Sequence, residues 1–474
     1  ANSGVSNEVQ FGGEAEYAPE EPAIVSEEAT RPAPQAEPAP AHPVTVATNA
    51  DKSKDARRGP ELNNRLKKLE APDTTTADED SFVDANKNTE MAQAPSESNA
   101  EGEGYEDHGI NPMTDTSEDR FSTFSIDVDT GSYTIARRKL NEGYIPPMAA
   151  VRVEEFVNYF DYDYPNPKEG AFGVNLEAAP SPFSTEKDRY LVRVGVQGKA
   201  VSARERKPVH LTFLVDTSGS MNTPDKLGLA KESLKILTNN LKRGDTVALA
   251  TYAGNTRVVL TPTSDKKKIL AALDNLRSGG GTAMSSGMEL AYKQALSSYR
   301  KGHVNRVIVL SDGDANIGRT SFDDILATIK SYVDEGVTLS TIGFGMGNYK
   351  DSLMEQLANK GNGNYYYIDD IKEARKVFGE QIDGTLEVIA KDVKIQVEFD
   401  KKAVKSYRLI GYENRDIADR DFRNDAVDAG EIGAGHSVTA LYEIVRVDDA
   451  TDLLATVRIR HKDPEDERPI EYNY

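Results

Sequence analysis

The sequence predicts an α/β fold with a doubly wound, mostly parallel sheet. It is flanked by β-rich segments that form a sandwich and preceded by a disordered acidic tail. Three observations predict this. Between residues 208 and 386, short apolar runs alternate with amphipathic helical stretches throughout. On both sides of that block, helical periodicity gives way to period-two alternation. The opening segment is too poor in apolar residues to offset its own chain entropy.

Composition bounds the answer. A chain of 474 residues exceeds what one hydrophobic core usually organises, so two or three folded units are expected. The hydrophobic share of 38% is low for a wholly globular chain, which again points to a solvated tail. A formal charge of −21 argues against nucleic-acid and anionic-membrane partners, since like charges repel. Roughly 24 acidic and 9 basic side chains fall in residues 1–115, so most of the excess belongs to the tail. With no cysteine, disulfides, zinc-thiolate sites and thiol nucleophiles are excluded. No run of about 18 apolar residues occurs, so no segment is expected to span a bilayer. The chain opens at Ala1 without a signal-like stretch and ends in a strand-like Pro469–Tyr474. The start is therefore expected to have lost a targeting segment or to be trimmed, and the end to be truncated.

Four regions follow. Residues 1–117, with Arg31-Pro-Ala-Pro-Gln-Ala-Glu-Pro-Ala-Pro-Ala-His-Pro43 at their most biased, read as a disordered acidic tether carrying one transient helix at Glu61–Glu70. Residues 118–207 read as a small α+β or β-rich unit. It has strands at Phe121–Asp127, Gly173–Ala178 and Arg189–Val196, and helices at Tyr133–Asn141 and Val151–Phe160. Residues 208–386 form the α/β block. Its strands are expected at Val209–Val215, Thr246–Tyr252, Arg257–Thr261, Arg306–Leu310, Thr338–Gly343 and Tyr365–Ile368. Helices are expected near 225–242, 265–277, 283–300, 321–335, 350–360 and 370–384. In the first of these Leu227, Ala230, Leu234, Leu237 and Leu241 share one face. Near-continuous apolar strands between such helices indicate a sheet covered on both faces. Residues 387–474 return to period-two strands at Val393–Phe399, Ser437–Ile444 and Leu454–Arg460. They are expected to pack with 118–207 as one scaffold.

Ligands of open doubly wound sheets bind beyond the carboxyl ends of the strands, and oxygen-bearing side chains gather there. The first strand runs into Asp216-Thr-Ser218-Gly-Ser220, and another runs into Ser311-Asp312-Gly313-Asp314. Between them, Ser278-Gly-Gly-Gly-Thr282 opens a helix. Neutral hydroxyls from Ser218, Ser220 and Thr282, with charge from Asp216 and Asp312, suit a hard cation. Magnesium takes about six oxygens and retains waters. Mg2+ is therefore the expected metal, with Mn2+ or Ca2+ as alternatives, and one coordination position is left for an acidic group from a partner.

These residues resemble the metal-ion-dependent adhesion site of von Willebrand A and integrin inserted domains. The resemblance covers residues 208–386 and implies metal-ligand roles for Asp216, Ser218, Ser220, Thr282 and Asp312. Met221-Asn222-Thr223 follow the last serine, where integrin β subunits carry further carboxylates, so adjacent second and third metals are not implied. The flanking segments Phe124–Tyr133, Val151–Phe160 and Leu409–Arg415 are similar to a bacterial envelope family with a central A domain, labelled calcium-activated chloride channel homologues. That resemblance implies a cell-envelope location (periplasm, outer membrane or cell surface). It also implies a lipid anchor, which would lie outside this chain.

Other signals carry less. Asp127-Val-Asp129-Thr-Gly131-Ser132 fails as a calcium loop, with Ser132 at the sixth position and Arg138 at the twelfth. It also fails as an aspartic-protease motif, which needs a second copy, and reads as a structural turn. Gly343-Phe-Gly345-Met-Gly347 lacks the spacing of a nucleotide loop, and no histidine pair has zinc-protease spacing. The leading reading is a non-enzymatic, metal-dependent adhesion or scaffold protein that binds a partner's Asp or Glu. Its loops would be coupled, by family analogy, to the helix near 370–384. The alternatives are an adaptor for an AAA-type ATPase or chelatase-like assembly, and a metal hydrolase in which Asp314 would be the base.

Overall fold

The computed structural model describes residues 103–474, except 203, 315–318, 348 and 448–452. Most of the acidic tether, with the helix expected at Glu61–Glu70, lies outside the described residues.

Residues 103–117, assigned to the tether by their composition, are instead docked on the fold. The Glu103 carboxylate accepts from Lys139 at 2.6 Å in a buried pair. The Asn111 side chain donates to the Leu409 and Gly411 carbonyls at 3.2 and 2.8 Å. Thr114–Asp115 (β1) then adds to a sheet edge. Specific hydrogen bonds, not apolar content, order this stretch, which is why composition misplaces it.

Phe121–Ser125 (β2), Gly131–Asn141 (α1) and Val153–Asn158 (α2) lead to the long strands Phe172–Pro180 (β3) and Arg189–Gly198 (β4). The α/β block follows in chain order. Its elements are Val209–Asp216 (β5), Leu229–Asn240 (α3), Thr246–Tyr252 (β6), Arg257–Thr263 (β7), Lys266–Asp274 (α4) and Met284–Ser297 (α5). Val304–Ser311 (β8), Arg319–Asp334 (α6), Thr338–Gly343 (β9), Asp351–Lys360 (α7) and Tyr365–Tyr367 (β10) continue it, before the short Ile371–Arg375 (α8) and Ile382–Leu386 (α9). The sheet order is β10-β9-β8-β5-β6-β7, and every pairing is parallel except that of the edge strand β7. β5 lies inside this sheet and is buried along its whole length, as a strand with helices on both faces must be. Leu211, Phe213 and Val215 pack with α3 residues Leu234 and Leu237 on one face. Leu214, Val307 and Val309 pack with α5 residues Met288 and Ala291 on the other.

Two helices differ from the periodicity. The one expected near 225–242 begins regularly only at Leu229, after a wide π-type turn over Pro224–Gly228. The single helix expected at 370–384 is split by a second such turn, Lys376–Glu380. There the Phe378 carbonyl is taken by the Asn240 side-chain amide at 2.9 Å, and Gly379 adds no helical preference of its own.

The flanking segments form a β-sandwich that mixes the two ends of the described chain. Its C-terminal strands are Val388–Phe399 (β11), Val404–Ile410 (β12), Gly430–Gly433 (β13), Ser437–Arg446 (β14), Ala455–Lys462 (β15) and Pro469–Asn473 (β16). One sheet runs β1-β12-β14-β4-β3; the other joins β13, β11, β15 and β16, with β2 also paired to β11. Phe124, Val194 and Val196 from one side of the α/β block share a core with Val397, Tyr442 and Ile459 from the other.

Buried ion pairs join this sandwich to the α/β block. Arg152 bonds Asp351 of α7 at 2.6 Å and also pairs with Glu155. Arg415 reaches Asp127 at 2.9 Å and Glu355 at 3.3 Å. The turn Asp127–Ser132 is thus structural: the Asp129 carboxylate also accepts the Tyr365 N–H at 2.9 Å.

Burial, with Asp428 and Asp392 nearby, pushes the Glu431 carboxyl up to about 8. Burial, with Asp127 beside it, pushes Glu154 up to about 7. Because both values are raised on folding, the stability these groups contribute is complete below their unfolded range. It is lost as pH rises through about 7 to 8. The melting temperature should therefore fall from pH 6 to pH 9, and Glu431→Gln should flatten that fall. An equally steep decline in the variant would count against it.

Candidate metal-binding site

β5 ends on Asp216, and its register with β8 sets Val215 opposite Leu310. Asp216 therefore faces Ser311, whose hydroxyl donates to Asp216 Oδ2 at 2.9 Å. Asp312 follows at once, and both carboxylates are fully buried. The Ser218 N–H donates to Asp216 Oδ1 at 2.8 Å, and the Ser218 and Ser220 hydroxyls lie 3.0 Å apart. A 3₁₀ turn over Gly219–Met221 presents Ser220, anchored by the fully buried Met221 side chain. Burial pushes the Asp216 carboxyl up; the Ser218 hydrogen bonds oppose this, and the nearby Asp312 charge adds to it.

The loop before α5 lies against the first loop. The Gly219 N–H donates to the Gly280 carbonyl at 3.0 Å, and the Gly279 N–H to the Thr217 carbonyl at 2.8 Å. Close helix–sheet packing allows this approach: a Cβ on Gly287 of α5 would stand 2.8 Å from Tyr252 Cβ at the end of β6. Thr282 rides on this loop, half-buried. It does not cap α5, whose N-cap position is Ala283 with no side-chain cap. Among the described residues its hydroxyl bonds none of the other four candidates. Contacts thus bring Asp216, Ser218, Ser220 and the Ser311–Asp312 turn together, while Thr282 joins them only through its loop.

Sequence reasoning missed Lys226. Its ammonium donates to Asp312 Oδ2 at 2.9 Å, and its side chain is only 9% exposed. It projects from the Pro224–Gly228 turn, a local widening of the helix often found at functional sites. Asp312 Oδ1 accepts the Asp314 N–H at 3.2 Å. Ser311 was legible as part of a Ser-Asp-Gly turn, but its role as a donor to Asp216 was not.

The chemistry of these donors suits a hard divalent ion, with two carboxylates and a surplus of neutral hydroxyls. The Lys226 ammonium beside Asp312 already supplies one positive charge to this cluster. Among the described residues no three His, Asp or Glu side chains are arranged to hold a metal, so an ion here would depend on the hydroxyl donors. The wild-type melting temperature should rise with added MgCl2, by mass action on the folded state. Asp216→Asn should melt at or slightly above the wild type in chelator, having lost a buried charge, and show no magnesium response. Equal magnesium shifts in both proteins would disprove the assignment.

Three stretches of the chain match known families. Residues 210–380 match the family described as von Willebrand factor type A domain, and residues 99–193 match one described as von Willebrand factor. Residues 384–473 match a family described as "Uncharacterized protein YfbK, C-terminal". A protein of Escherichia coli (strain K12) described as "Uncharacterized protein YfbK" is 43% identical over 350 residues, which are 72% of this chain and 60% of that protein. The protein sll0103 of Synechocystis is 26% identical over 189 residues, 40% of this chain and 44% of its own length. The chain thus spans less than two thirds of either relative. Among solved structures, a von Willebrand factor type A protein from Catenulispora acidiphila is 17% identical with a TM-score of 0.41, covering 66% of this chain and 74% of that one. The α/β block, residues 210–380, thus matches the von Willebrand factor type A domain family, and carboxylates and serines gather at its strand ends.

Proposed function

We propose that this protein is a non-enzymatic, metal-dependent protein-binding module of the bacterial cell envelope. Its partner presents an Asp or Glu side chain. The observation that carries this reading is the convergence of Asp216, Ser218 and Ser220 with the Ser311–Asp312 turn at the carboxyl edge of the parallel sheet. Asp216, Ser218, Ser220, Thr282 and Asp312 would hold a magnesium-type ion, with Mn2+ or Ca2+ as substitutes. The ion would supply electrophilic pull on a partner's carboxylate.

The chain's own groups do the rest. Ser311 and the Ser218 N–H orient Asp216, and the Asp314 N–H orients Asp312. With both carboxylates buried, their charge acts in a medium that screens it poorly. The net charge of −21 disfavours nucleic acid. Among the described residues no helix is long and apolar enough to cross a membrane. The envelope location rests on the likeness of the flanking segments to an envelope family.

Immobilised protein incubated with envelope extract should retain a partner in magnesium and release it in chelator. An excess of a free acidic peptide should compete. Asp216→Ala, confirmed folded by its melt, should retain nothing. Retention that persists unchanged in chelator would refute the proposal.

A further inference from the structure

We propose that Lys226 is a fixed positive charge that loosens the site's hold on its metal and tightens its hold on an anionic partner. The proposal rests on the metal-dependent reading above and assigns a role to a residue outside the expected ligand set.

The geometry allows the ammonium little room to leave. Nζ lies 2.9 Å from Asp312 Oδ2, and the side chain is almost wholly enclosed. Its stem runs directly beneath Gly345, where a Cβ would come within 2.3 Å of Lys226 Cε. Gly345 has φ +73, a conformation that glycine adopts without strain. The Tyr367 hydroxyl holds that loop down by donating to the Gly345 carbonyl at 2.7 Å. The turn carrying Lys226 is held from the other side, because Arg138 of α1 bonds the adjacent Asp225 at 2.7 Å. Lysine is therefore a built part of the site floor.

Charge counting gives the consequence. Asp216 and Asp312 contribute two negative charges and Lys226 one positive, so the metal-free site carries a net −1. A divalent ion brings it to +1, and one partner carboxylate brings it to zero. Without the lysine the same sequence runs −2, 0 and −1. The ammonium therefore repels the incoming ion and attracts the incoming carboxylate, acting with opposite signs on the two steps. Neutralising each buried charge in turn is what a poorly screened site requires.

The test uses the full chain with Mn2+ as the metal probe, titrated calorimetrically, and acetate as the carboxylate probe. Acetate occupancy is read from the loss of water-proton relaxation by bound Mn2+. Lys226→Met keeps most of the stem and removes the charge; Lys226→Arg keeps the charge. Lys226→Met should bind Mn2+ at least about tenfold more tightly, since a unit charge a few ångströms from a divalent ion acts on that scale even in water. Once loaded, it should bind acetate several-fold more weakly, while Lys226→Arg stays near the wild type. Unchanged or weaker Mn2+ binding by a folded Lys226→Met overturns the inference, since the lysine would then merely position Asp312. Failure of the folded wild type to bind Mn2+ would instead remove the metal reading itself.

Discussion

Two carboxylates buried at the ends of adjacent parallel strands are the constraint around which this protein is organised. Asp216 and Asp312 lie out of water at the carboxyl edge of the sheet, where like charges cannot coexist without compensation. Each nearby feature supplies part of it. The Ser218 N–H and the Ser311 hydroxyl serve Asp216, and the Asp314 N–H and Lys226 serve Asp312. Two carboxylates still outnumber the single ammonium, and that surplus charge underlies the metal site we propose.

The same logic recurs at the junction between the α/β block and the sandwich. Arg152 and Arg415 pair with Asp351, Glu155, Asp127 and Glu355 in surroundings nearly closed to solvent. Buried pairs of this kind add little net stability but penalise any arrangement that separates them. They therefore set orientation more than strength. The Arg138–Asp225 bond extends that control from α1 to the turn beside the proposed metal site. The scaffold is thus mechanically connected to the loop that carries Lys226.

Legibility divided along the range of the interactions involved. The strand ending in Asp216 was readable because a strand buried on both faces must be apolar throughout, and Val209–Val215 nearly is. The donor-bearing loops after β5 and β8 were readable because strand-end position follows from the same pattern, while the loop before α5 was marked by its glycine run Gly279–Gly281. The break at Lys376–Glu380 was not, because it depends on Asn240 reaching across from another helix. Nor was the docking of residues 103–117, whose composition resembles the tether and whose order comes from partners such as Lys139 and the Leu409 carbonyl.

By itself the sequence determined the α/β class, the β-rich flanks and the types of oxygen donor at the strand ends. Local periodicity encodes all three, and periodicity needs no knowledge of distant neighbours. Only the tertiary structure decided that β4 pairs with β14 and β2 with β11, since those partners lie on opposite sides of the α/β block. It alone decided that Lys226 turns inward to Asp312 instead of outward to water. A lysine's direction at the start of a helix is set by the shape of the turn and by the loop packed over its stem, and neither leaves a mark in the residues beside it.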